Sequence, residues 1–157
     1  MTKIISLQFA LFFASVSERP DRDFGDINEK MLNIFDAMPT MRSIPKELPL
    51  PPDIPLTTYQ SELGDYVCNI ARSRIDFIRS GLSRDSDSEK TLKDFNVKVA
   101  GFISYVLSRR SANRFGLVCT FFVDDEAPVS TLLAKYFKSG FEHVEELSIH
   151  FNHKKEI

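Results

Sequence analysis

RFGLVCTFFV, residues Arg114–Val123, decides how the rest of the chain is read. All of it except Arg114 and Thr120 is apolar or small, and it is rich in the aromatic and β-branched types that suit a pleated strand. Asn113 precedes it and Asp124-Asp125-Glu126 ends it. A run that is apolar on both faces belongs in the middle of a sheet, with something packed on each side. The expectation is a central strand that is entered from basic residues and left through acidic ones.

Working outward, the segment before it has helical spacing. Leu92, Phe95, Val99, Phe102, Ile103, Val106 and Leu107 form one apolar stripe, which predicts a long helix from about Glu89 to Arg109. Ser86 and Glu89 have the spacing of a capping box, and Arg109-Arg110 suits the negative end of the helix dipole. After the strand, Pro128 fits a first helical turn. The helix it opens carries Leu132, Leu133, Tyr136 and Phe137, and Gly140 fits its cap. Val144–Phe151 reads as the last strand, with Leu147, Ile149 and Phe151 on one face.

The N-terminal half begins with a strand, Lys3 to Val16, in which Leu7, Phe9, Leu11 and Phe13 alternate with Gln8, Ala10 and Phe12. The opening residues also have the outline of a secretory signal, but this alternation favours a strand, and the run is too short to span a membrane. Glu18–Asp23 is a charged turn in which Pro20 blocks a ladder. Asp26 can cap a helix carrying Ile27, Met31, Ile34, Phe35 and Met38, stopped by Pro39. Pro39, Pro45, Pro49, Pro51, Pro52 and Pro55 make 39–55 an extended connector pinned by Leu48, Leu50, Ile54 and Leu56. The alternative is a docking motif for a proline-recognising partner. A strand over 56–63, a turn at Gly64-Asp65 and a strand over Tyr66–Ala71 follow. Alternation continues through Ile75 and Phe77, as one bent strand or as a hairpin.

The element order is β-α-β-β-α-β-α-β. It predicts a single α+β domain over residues 1–157, a mixed or antiparallel sheet of about five strands with helices largely on one face. The chain has 43% hydrophobic and 27% charged residues, ordinary values for a globular protein. Its 14 Phe and absence of Trp predict a core of aromatic layers. A net charge of −2 gives no overall field for nucleic acid or an anionic membrane. Cys68 and Cys119 lie in apolar strand-like runs and read as small hydrophobes rather than a disulfide, as in a cytoplasmic protein.

Most catalytic classes find no support. His143, His150 and His153 lie near the C-terminus without zinc spacing, and no Cys pair has it either. The six glycines are scattered singly, so neither a phosphate loop nor a dinucleotide fingerprint can be built. No metal or cofactor is expected. Two sets of residues merit a site hypothesis. Arg72, Arg74, Arg79, Arg109, Arg110 and Arg114 could grip a nucleic-acid backbone or an acidic partner if they share a face. The plainer reading pairs each with a nearby acid, with Asp76, Asp85 and Asp87 at hand. Asp124 and Asp125 with Arg114 could orient a polar ligand; the plainer reading is a solvated turn that favours the next helix N-terminus.

The pattern Tyr105, Arg114-Phe115-Gly116-Leu117-Val118, Val129, Leu132-Leu133 and Tyr136 resembles a sporadically distributed prokaryotic family of unknown function. That family has an Arg-apolar-Gly-apolar strand after a long aromatic helix. Here Asp124 stands where the family often has Asn, and the chain is shorter than usual members. The resemblance supplies no catalytic residues. It implies a prokaryotic, mobile-element or defence-associated protein. The functional expectation is a non-catalytic interaction subunit, antitoxin-like or part of a defence complex, whose partner is another protein or a second copy. Edge strands at the N-terminus or at 144–151 would extend its sheet. The alternatives are a nucleic-acid-binding accessory protein and a small-ligand-binding domain.

Overall fold

The computed structural model of the chain describes residues 2–43, 50–82 and 87–123. Thr2–Phe122 forms one compact unit. Its order is β1 (Thr2–Phe13), α1 (Pro20–Asp23), α2 (Ile27–Lys30), β2 (Thr40–Met41), β3 (Pro55–Gln60), β4 (Tyr66–Ala71), β5 (Arg74–Arg79), α3 (Ser88–Arg109) and β6 (Ala112–Val123). The six strands make one antiparallel sheet in the order β2-β3-β4-β5-β1-β6. This is the α+β class expected from the sequence, with a short extra strand, β2, inside the proline-rich connector. The expected helix after Pro128 and strand at 144–151 lie outside the described residues.

Alternation decides which face of the sheet is covered. Register pairs Phe9 with Phe77 and Leu11 with Ile75, and pairs Cys68 with Phe77 and Ile70 with Ile75. These residues share one face and are all buried. Phe95, Val99, Phe102 and Val106 of α3 lie on them, joined by Phe24, Ile27, Met31 and Phe35 from the α1–α2 region. Phe77 is the hub: its ring centroid lies 5.2 Å from that of Phe102, 5.7 Å from Phe95, 5.8 Å from Tyr66 and 6.2 Å from Phe35. Such ring pairs add about 0.5–1.5 kcal/mol each beyond area burial. The opposite face carries Gln8, Phe12, Arg74, Asp76 and Asn69, and no helix among the described residues lies on it.

Local chemistry explains the boundaries. Asp87, not Ser86, caps α3: its carboxylate accepts from the backbone N–H of Glu89 and of Lys90. The helix ends where Arg110 turns extended, and the Arg110 guanidinium sits 4.0 Å above the Phe13 ring. Between β3 and β4, Gly64 adopts φ 71°, a conformation that costs other residues energy, and the Ser61 hydroxyl ties the turn by donating to Asp65. Arg72 and Ser73 form the hairpin turn between β4 and β5. They are held from outside, because the N–H of Phe13 donates to Ser73 O and the N–H of Ser17 donates to Arg72 O.

Four sequence expectations need correction. The charged turn at 18–23 contains a helical turn, α1, with Pro20 at its start. The helix expected over Asp26–Met38 stops at Lys30, because Leu32 and Asn33 both take positive φ. The core is served anyway, since the Asn28 side chain accepts from the N–H of Phe35 and seats that ring. β1 is interior, flanked by β5 and β6, so it offers no edge. Among the described residues β6 is the terminal strand rather than the central one, and Phe115, Leu117, Val118 and Phe121 are 53–60% exposed.

Candidate functional site

The six arginines do not form one patch. Arg79 lies at the end of β5, where it reaches the carboxylate of Asp94 and the hydroxyl of Tyr66. Tyr66 also donates to Asp94, at 2.6 Å, and Lys98 completes the cluster by donating to the same carboxylate. A second cluster, again of a tyrosine, an aspartate and an arginine but without a lysine, holds the other end of α3. There Tyr105 donates to Asp26, and Arg109 donates to the other Asp26 oxygen at 2.7 Å while stacking on the Tyr105 ring. Each end of the helix is thus fastened by a tyrosine, an aspartate and an arginine, which ties α3 to β4–β5 at its start and to the head of α2 at its end.

Charge balance in these clusters shifts their titration. Burial alone would raise Asp94, but hydrogen bonds from Lys98 and Tyr66 and the charges of Lys98 and Arg79 hold it below the ordinary aspartate value. The hydrogen bond from Tyr105 holds Asp26 low in the same way. Both tyrosines are pushed up, first by burial and then by their aspartates, so neither is a phenolate at physiological pH. These are structural fasteners, not activated acids or bases.

The remaining arginines lie near the β4–β5 turn and the open face. Arg72 pairs with Glu18 at 2.6 Å. Arg110 donates to the backbone carbonyls of Ser15 and Arg72. Its partial burial lowers its pKa. Arg74 pairs with Asp76 at 2.8 Å, and the Gln8 amide donates to the same carboxylate oxygen. Arg74 and Arg114 lie 4.9 and 4.0 Å from the Phe12 ring centroid. Arg114 alone of the six has neither a carboxylate nor a carbonyl partner among the described residues. Of the anticipated counter-ions among the described residues, only Asp76 serves an arginine. Asp87 caps α3 instead, and Asp85 lies outside the described residues, as do Asp124 and Asp125.

What sequence reasoning missed is the exposure of β6. Phe115 stacks on Phe9 at 6.0 Å yet remains half exposed, and among the described residues Leu117, Val118 and Phe121 make no ring contact and do not belong to the buried core. Apolar content could not reveal this, because it records affinity for burial and not the neighbour that provides it. Both cysteines are free; Cys68 is fully buried, with its thiol pushed up by burial, and Cys119 on β6 is exposed. Among the described residues no three metal-ligating side chains converge, and no helix is long and apolar enough to cross a membrane. An open hollow beside the first turns of α3 is lined by Asp87, Glu89, Lys90, Lys93, Asp94 and Val97, a solvated helix flank rather than an enclosed pocket. No family model, curated protein or solved structure matches the chain.

Proposed function

We propose that the protein is a non-catalytic, cytoplasmic interaction subunit that works by burying β6 against another protein. The observation that carries this reading is the run of Phe115, Leu117, Val118 and Phe121, each more than half exposed on a terminal strand of the described sheet. Exposed apolar strands with a free edge are costly to leave uncovered, because they pair with other chains. A partner strand gains main-chain hydrogen bonds from the edge and specificity from alternate side chains. The resemblance noted above suits such a subunit to a prokaryotic defence or antitoxin-type complex. The arginines support a nucleic-acid reading less well, since five of the six are engaged by carboxylates or carbonyls of the same chain.

Size-exclusion chromatography with light scattering, on full-length chain purified from its host, tests this. The chain is expected to elute in an assembly heavier than 18.0 kDa, and Leu117→Lys is expected to release it. A strict monomer that retains no partner, unchanged by Leu117→Lys, contradicts the proposal.

A further inference from the structure

We propose that the open face of the sheet docks single-stranded nucleic acid, with Phe12, Arg74 and Arg114 at its centre. This goes beyond the reading of β6 and does not depend on it. Register sets the side chains of this face in rows: Phe12 stands opposite Arg74, and Asp76, Asn69 and Thr58 follow one another across β5, β4 and β3. No helix among the described residues lies on them. The first argument is charge. Of the four arginines around this end of β1, Arg74 is balanced by Asp76 and Arg72 by Glu18. Arg110 is held by the carbonyls of Ser15 and Arg72, with Asp23 acting on it only from a distance. Arg114 rests 4.0 Å from the Phe12 ring centroid. Arg110 and Arg114 thus bond no carboxylate among the described residues, on a chain whose net charge is −2. Positive charge gathered against the sign of the whole chain is complementary to a phosphate backbone.

The second argument is what stands beside the charge. Gly116 of β6 lies next to Phe12, where a Cβ would come 3.9 Å from the ring, so at this position β6 lays no side chain on it. A half-buried ring with guanidinium planes against it offers an unstacked base a surface to stack on. Nearby, Thr58 donates to Asn69 Oδ1 at 2.9 Å, which leaves the Asn69 amide N–H groups without an acceptor among the described residues. Gln8 donates to Asp76 at 2.9 Å, which leaves its own amide oxygen to accept. An amide donor and an amide acceptor beside a stacking surface suit the edges of splayed bases. A duplex would offer this face little but its backbone, whereas a single strand offers phosphates and bases together.

Fluorescence anisotropy of full-length chain with labelled oligothymidylate and oligouridylate, each of about ten nucleotides, tests this, and comparing the two tells DNA from RNA. Saturable binding of at least one is expected at low salt, weakening as salt rises. Arg114→Ala should weaken it several-fold and reduce the salt slope by about one. Phe12→Leu, which keeps apolar bulk but removes the ring, and Asn69→Ala should each weaken it several-fold and leave the salt slope unchanged. Where Phe12→Leu does not fold, Asn69→Ala carries the test. Binding of neither oligomer at low salt overturns the proposal. Binding that Asn69→Ala and folded Phe12→Leu leave undiminished also overturns it, because charge attraction alone would then account for it. Polyglutamate bound in place of both oligomers, and lost in Arg114→Ala, overturns it in favour of an acidic protein. None of these outcomes touches the mass of the assembly or its release by Leu117→Lys, so the β6 reading stands or falls separately.

Discussion

β1 and β6 are 12-residue neighbours of similar composition, and they meet opposite fates. In β1, Leu7, Phe9, Ala10, Leu11 and Phe13 are at most 8% exposed. In β6, Phe115, Leu117, Val118 and Phe121 are at least 53% exposed. The difference lies in neighbours. β1 has β5 on one side, β6 on the other and α3 above it, whereas β6 has β1 alone among the described strands. Hydrophobicity sets how much a strand gains from being covered; topology sets whether its own chain covers it. The pair therefore separates residues that hold this unit together from residues that stay exposed on it.

The largest test of that separation is a matched substitution. Leu11→Ala should lower unfolding stability by about 2–5 kcal/mol, the usual cost of a cavity in a packed core. A urea titration reads this as a lower midpoint. The same change in β6, Leu117→Ala, should cost about 0.5 kcal/mol or less in the dissociated chain, as exposed substitutions do. Equal losses would erase the distinction between the strands.

Much of the architecture was legible because local signals agreed with the fold. The stripe from Phe95 to Val106 gave α3, and alternation gave β1, β4 and β5. The misreadings have a common cause in contacts distant along the sequence. The β4–β5 turn lacks glycine because the backbone of Phe13 and Ser17 holds it. The apolar spacing from Ile27 to Phe35 suited a helix, yet the core needs only the buried Ile27, Met31 and Phe35, and the chain breaks at Leu32-Asn33 to deliver them. Of the candidate site, the residue types were visible but the pairing was not. Arg72 finds Glu18 and Arg109 finds Asp26, partners 54 and 83 residues away.

The fasteners at the two ends of α3 provide a test of intermediate size. Asp94→Asn should cost about 1 kcal/mol, toward the low end for a charged network because Asp94 is 39% exposed. Asp94 and Asp26 have lowered pKa values in the folded chain. Their contribution is complete above the unfolded value of 3.8 and is lost as pH falls below it, through the folded values. Stability measured down an acid series should therefore drop less steeply in Asp94→Asn than in wild type. An unchanged acid limb would show that this cluster does not help hold α3.

The cysteines give the smallest perturbation, since they need no substitution. A monofunctional thiol reagent should titrate Cys119 in the native chain and reach Cys68 only on unfolding, because Cys68 is fully buried on the β4 core face. Two equivalents reacting at once in the native state would mean that the covered face is open.

The most direct measurement is residue-resolved amide hydrogen exchange across β1 and β6, on dissociated chain and on the assembly purified from its host. β1 amides should be slow in both samples. The β6 amides that point away from β1 should exchange fast in the dissociated chain and become protected in the assembly. Outward β6 amides as slow as those of β1 in both samples would contradict the account, because the strand would already be covered within its own chain.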